Sequence, residues 1–292
     1  MTDPAAVERD AAEAASAFAH PAVAPDATAA YGEHPDHVVD FYAPRGETRD
    51  PAPLVVLLHG GAWRAPYDRQ HVTPFADFLA RRGFAVANVE YRRGSTLPHQ
   101  NAEGPVAGRW PETFDDVAAA MDALPALAAT ALPQADVRRT VVTGHSAGGH
   151  LALWAAARHV LASDSPWRLP APPMLRGVVA LAPIADFAVA QELGVCGGAS
   201  AQLLGGAEHW EERLPYADPA ALLPTGIATA VVQGRDDIVV PQQVAEAYVA
   251  AAAKAGEMVG LTLLDAVGHF PLIDPAADAC AVVAEEISQL AW

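Results

Sequence analysis

One stretch limits the fold more than any other. In VVTGHSAGGHLALWAAAR, residues 141–158, an apolar β-branched run meets Gly144-His145-Ser146-Ala147-Gly148 and passes straight into a helical pattern. A strand turns this sharply into a helix only where the flanking residues are small, because side chains there would collide with nearby backbone. A serine at the apex then holds its Oγ clear of the main chain, at the end of a strand that must lie inside a sheet. Ser146 could still be a helix cap. It becomes a candidate nucleophile if the chain also supplies a base and an acid.

The surrounding pattern fits such a sheet. Apolar runs at 37–43, 53–60, 83–92, 140–144, 175–183, 228–234 and 259–267 read as strands. Between them, helical patterns occupy 4–18, 112–124, 147–162, 241–255 and 276–290. Strands alternating with helices predict an α/β fold with a mostly parallel central sheet covered on both faces. No repeat or low-complexity linker divides the 292 residues, so one domain spanning 1–292 is expected. Two segments rich in Gly, Pro and aromatics, 94–111 and 186–225, read as irregular, cap- or lid-like loops.

Composition excludes several classes of function. A formal charge of −17 repels nucleic acid and anionic membrane surfaces. No apolar run is long enough to span a bilayer, since the Ala-rich stretch 118–132 carries Asp122 and Pro125. The opening MTDPAAVERDAAEAASAF lacks a basic and then apolar leader, so a cytoplasmic location is expected. Cys196 and Cys280 form no disulfide framework and no metal-ligand spacing. Neither metal nor cofactor is expected, the Asp236-Asp237 pair having no His or Cys cluster beside it. The partner expected is a small acyl substrate, and a homodimer stays open.

A serine needs a histidine to take its proton and an acid to orient that histidine. On a strand–elbow–helix scaffold both follow the serine in the chain, on loops after later strands. RDDIVVP after the strand at 228–234 offers Asp236 and Asp237, and GHF after the strand at 259–267 offers His269. The developing oxyanion needs backbone N–H donors: Ala147, next to Ser146, and Gly61 and Ala62 in LLHGGAW, where glycines allow close approach. Trp63 could stack on an aryl substrate or anchor packing, and Trp110 and Trp210 could wall a pocket. His145 and His150 suit structural hydrogen bonds, and Cys196 either faces the site or packs.

Taken together, HGGAW, GHSAGGH, QGRDDIVVP and GHF, in that order, resemble the α/β-hydrolase superfamily of serine esterases. The resemblance implies that the acid lies three residues after the glycine and four before the proline, which selects Asp237 and leaves Asp236 as a loop cap. The implied triad is Ser146, Asp237 and His269. HGGAW, EYRR (90–93) and the elbow together look most like the kynurenine formamidase (arylformamidase) branch and its esterase relatives, except that Ala62 stands where an aromatic residue is common. That implies hydrolysis of an N-formyl aryl amine, with a short-chain, acetyl or feruloyl esterase as the alternative. An acyltransferase, a lactonase or a non-catalytic binding protein would share the same scaffold.

Overall fold

All seven residues of Ala52–Leu58 are buried, so this strand must lie between two layers. The computed structural model describes residues 3–46, 51–95 and 106–292. Its strands are β1 (Ala27–Ala30), β2 (Val38–Tyr42), β3 (Ala52–Leu58), β4 (Ala85–Val89), β5 (Ala135–His145), β6 (Gly177–Leu181), β7 (Thr229–Gly234) and β8 (Val259–Leu264). The first helices are α1 (Pro4–Phe18), α2 (Thr73–Ala80), α3 (Glu112–Ala131) and α4 (Ala147–Ala156). Then come α5 (Phe187–Glu192), α6 (Ala199–Leu203), α7 (Trp210–Ala217), α8 (Gln242–Lys254) and α9 (Asp278–Ala291).

The strands form one eight-stranded sheet in the order β1-β2-β4-β3-β5-β6-β7-β8. β2 runs antiparallel to both neighbours, and β3 through β8 are parallel to one another. Parallel neighbours need crossover connections, which the helices supply on both faces. Leu54, Val56 and Leu58 of β3 pack with Phe114 of α3, Leu151 of α4 and Val244 of α8. Val55 and Leu57 face the other way, toward Phe75 and Leu79 of α2 and Ile287 of α9. That period of two makes a double-sided core. Among the described residues no helix is long and apolar enough to cross a membrane.

Each predicted strand overlaps an observed one, and the differences lie elsewhere, the first being α2, which no expected helix covers. β1, sequence ATAA, has little intrinsic strand preference; it forms by pairing with β2, with the Thr28 hydroxyl donating to Asp40 at 2.7 Å. α3 runs past its expected end at 124 to Ala131 despite Pro125, because Leu124 and Ala128 on either side are buried in the core. α4 stops at Ala156 rather than 162. The segment 186–225 is not irregular but folds into α5, α6 and α7 linked by tight turns. Of the other segment, 94–111, residues 96–105 lie outside the described residues.

Candidate active site

β5 ends at His145 and α4 begins at Ala147, with Ser146 between them at φ 58°, ψ −118°. The small neighbours are obligatory. A Cβ on Gly144 would stand 2.2 Å from the Gly148 carbonyl oxygen, and one on Gly148 would stand 2.0 Å from that of Leu58. The Ser146 N–H donates to Leu181 at 2.8 Å, and its carbonyl accepts from the His150 N–H at 3.1 Å. The end of β6 and the first turn of α4 thus fix the serine backbone in its strained conformation.

Asp237 lies just past β7 and His269 past β8, where neighbouring parallel strands end side by side. His269 Nδ1 is 2.7 Å from Asp237 Oδ2, and both side chains are buried. The Asp237 carboxylate also accepts the Val239 and Val240 N–H groups, each at 2.8 Å, and the Gln233 amide at 3.2 Å. Held on so many sides, it cannot turn away from the ring. A carboxylate opposite Nδ1 selects the tautomer protonated there and leaves the lone pair on Nε2. Asp236 points elsewhere, half-exposed and paired with Arg9 at 3.6 Å.

His145 supports this pair from below. Its Nε2 donates to the His269 carbonyl at 2.9 Å, and the two ring centroids are 4.3 Å apart. Burial, reinforced by the neighbouring His269, pushes its pKa well below the usual histidine range. It therefore serves as a neutral strut. His150, whose pKa burial lowers to about 3, donates to the Ala217 carbonyl at 2.9 Å.

The loop after β3 has positive φ at Gly61 (104°), Ala62 (51°) and Trp63 (55°). A Cβ on Gly60 would stand 2.8 Å from the His145 carbonyl oxygen, so this loop is pressed against the elbow. Among the described residues, the N–H groups of Gly61, Ala62 and Ala147 make no hydrogen bond within the chain. Unpaired donors beside a nucleophile can hold an oxyanion.

EYRR props this loop. Glu90 Oε1 is 2.8 Å from His59 Nε2, and Glu90 also pairs with Arg93 and accepts the Arg69 N–H at 3.0 Å. Burial alone would raise the Glu90 carboxyl; the facing His59 ring, Arg93 and the Arg69 N–H outweigh it and bring the pKa down to about 2. The Tyr91 ring stacks on His59 at 4.3 Å, and its hydroxyl donates to the His59 carbonyl at 2.6 Å. Arg92 closes the base by pairing with Asp116 at 2.6 Å.

Ser146 and His269 line one cleft of about 180 Å³ with Gly61, Ala62 and His145. Its walls include Phe18, Arg64, Tyr67, His71, Cys196, Val239, Phe270 and Ile273. Cys196 thus faces the cleft, with its thiol pKa raised by burial and its carbonyl accepting from Arg64 at 2.7 Å. The two tryptophans assigned to substrate do not fit there. Trp63 is fully buried, edge-on to His150 (5.1 Å) and Phe187 (6.0 Å), because the positive φ values turn its ring into the core. Trp110 lines a separate depression with Trp167, Arg213 and Tyr216. Phe18, Arg64, Tyr67, His71 and Ile273 escaped sequence reasoning, since only the fold brings them to Ser146.

The family model of BD-FAE matches residues 39–251. The chain belongs to the BD-FAE family. That match takes in the loop after β3, the turn at Ser146 and Asp237, and stops short of His269. Among solved structures, a truncated carbohydrate esterase from gut microbiota is similar over 93% of this chain and 99% of its own, at TM-score 0.71 and 19% identity. Esterase B from Lactobacillus rhamnosis is similar over 98% of this chain and 92% of its own, at TM-score 0.73 and 19% identity. These likenesses show the α/β-hydrolase fold. Among curated proteins, the non-reducing polyketide synthase ascC of Acremonium egyptiacum is 30% identical over 123 residues, which is 41% of this chain and only 5% of the synthase.

Proposed function

We propose that the protein is a carboxylesterase acting on small esters through an acyl-enzyme on Ser146. The observation that carries this reading is the buried Asp237–His269 pair opening onto the same cleft as Ser146. His269 Nε2 takes the Ser146 proton as Oγ attacks the ester carbonyl, and the N–H groups of Gly61, Ala62 and Ala147 hold the resulting oxyanion. His269 then protonates the departing alcohol. Water, activated by the same nitrogen, releases the acid. Asp237 holds the ring's tautomer and stabilises its cation. Losing one oxyanion donor typically removes about 3 kcal/mol of transition-state stabilisation.

The family match and the esterase neighbours favour this reading over an N-formyl aryl amidase, and the cleft favours short acyl groups. Its volume, about 180 Å³, is below the ~300–1,000 Å³ typical of sites for drug-sized ligands. The test is turnover of p-nitrophenyl acetate and butyrate beside N-formylkynurenine, with Ser146→Ala as control. Fast ester cleavage lost in the variant supports the proposal. Faster formamide cleavage would move the assignment to the arylformamidase reading.

A further inference from the structure

α1 lies at the opposite end of the chain from His269, yet one of its faces grips the loops that carry the acid and the histidine. The Arg9 guanidinium donates to the Asp236 carbonyl at 3.2 Å. The Glu13 carboxylate accepts the Gly268 N–H at 3.1 Å, one residue before His269. Just beyond, the Ser16 hydroxyl donates to Asp274 at 2.6 Å, and His20 Nε2 faces the other Asp274 oxygen at 2.7 Å. Residues 9, 13 and 16 recur at the spacing of a single helical face, and His20 lies just past the end of α1. The grip is close: a Cβ on Gly268 would stand 2.0 Å from Glu13 Oε2.

The same helix ends in Phe18, whose ring meets Phe270 edge-on at 5.3 Å and His71 at 5.8 Å. Phe18 lines the cleft and stays 41% exposed, so it forms the cleft's outer wall. Burial raises the carboxyl pKa of Asp10 on this helix, with the His269 and Asp237 charges the next largest influences. α1 therefore lies within the field of the buried pair.

We propose that α1 is a working part of the active site, in which Glu13 is a positioning residue that sets His269 through the Gly268 amide and Phe18 limits the size of the acyl group. The assignment rests on the esterase reading and gives the N-terminal helix a share in rate and in selectivity.

The test compares Glu13→Ala, Glu13→Gln and Phe18→Ala with wild type on p-nitrophenyl butyrate and octanoate. Glu13→Ala lowers kcat about tenfold or more with KM little changed, because small misplacements of a catalytic group are costly. Glu13→Gln keeps a carbonyl acceptor for the Gly268 N–H and restores most of the rate. Phe18→Ala raises the octanoate-to-butyrate ratio of kcat/KM about tenfold, within the range that pocket size commands. Wild-type kcat in Glu13→Ala, or equal losses in both Glu13 variants, overturns the positioning role. An unchanged ratio in Phe18→Ala overturns the wall.

Amide hydrogen exchange at Gly268 and His269 reads the grip without any substrate. Exchange faster in Glu13→Ala than in Glu13→Gln supports it, and equal exchange overturns it. A wild type that cleaves no ester removes the esterase reading and the Phe18 assignment together, while the exchange measurement still decides Glu13.

Discussion

The floor of the cleft and its outer wall are held by different kinds of contact. On the floor, the loop after β3, the elbow and the start of α4 press backbone against backbone, and Cβ atoms at Gly60, Gly144 or Gly148 would fall within 3 Å of carbonyl oxygens. The outer wall is built from side chains, with Phe18 against Phe270 and Glu13 and Ser16 reaching over from α1. Buried carboxylates under the floor and behind α5 also differ. Glu90, under the floor, faces His59 and Arg93 and is held at about 2. Asp218, behind α5, has backbone N–H partners at Phe187 and Ala220; burial, with Asp186 adding to it, raises its pKa to about 7. The floor is thus charge-compensated and sterically closed, and substitutions there act on the chemistry. The outer wall is held by side-chain hydrogen bonds and ring contacts, and substitutions there act on selectivity and on the placement of His269.

The sharpest way to break that contrast is the adjacent pair after β7. Asp237→Asn, which swaps the carboxylate opposite His269 Nδ1, should lower kcat by about 10⁴-fold, the scale seen when an asparagine imposes the wrong tautomer. Asp236→Asn, one residue away on the exposed side, removes an ion pair worth about 0–1 kcal/mol and should leave kcat within about twofold. Steady-state kinetics on p-nitrophenyl butyrate compares them, and equal losses would erase the distinction between floor and surface.

Gly148→Ala probes steric closure. Its Cβ would meet the Leu58 backbone oxygen at 2.0 Å, so urea denaturation should show a loss above about 4 kcal/mol, the range of severe core defects. A loss under about 1 kcal/mol would mean that the elbow relaxes freely.

Charge compensation is tested by pH, and the two carboxylates have opposite signs. Glu90 falls from an ordinary value of 4.5 to about 2, so its contribution is full above 4.5 and fades as pH drops toward 2. Glu90→Gln should therefore destabilise by about 3 kcal/mol at pH 7, with the difference shrinking at acid pH. Asp218 rises from 3.8 to about 7, so the native state holds this proton more tightly and stability declines as pH climbs through that window. Asp218→Asn keeps the acceptor for Phe187 and should stabilise at pH 8 by on the order of 2 kcal/mol, with little effect at pH 4. Denaturant midpoints across pH 2–8 decide both signs.

How much of this was legible in the sequence follows the same division. Ser146 between Gly144 and Gly148, and the strands and helices around it, could be read because each depends on neighbours a few residues away and on apolar runs. The structure sets Asp237, not Asp236, against His269, the choice that the resemblance of QGRDDIVVP to the family's acid loop implies. The walls were not readable in this way. Trp63 stands next to Gly61 and Ala62 in sequence, but positive φ values at 62 and 63 send its ring into the core. Phe18 belongs to an N-terminal helix whose partner Gly268 lies 255 residues away from Glu13. The Gly- and Pro-rich look of 186–225 hid three short helices, the first capped by Asp186, whose carboxylate accepts the Val189 N–H.

The most direct measurement is the site and rate of covalent labelling by an alkyl fluorophosphonate, read by intact mass and peptide mapping. One adduct per chain on Ser146, absent in Ser146→Ala and slowed at least about 10³-fold in His269→Ala, is the expected result for a serine activated by its histidine. An adduct on another residue, or labelling of Ser146 that does not depend on His269, would contradict the account.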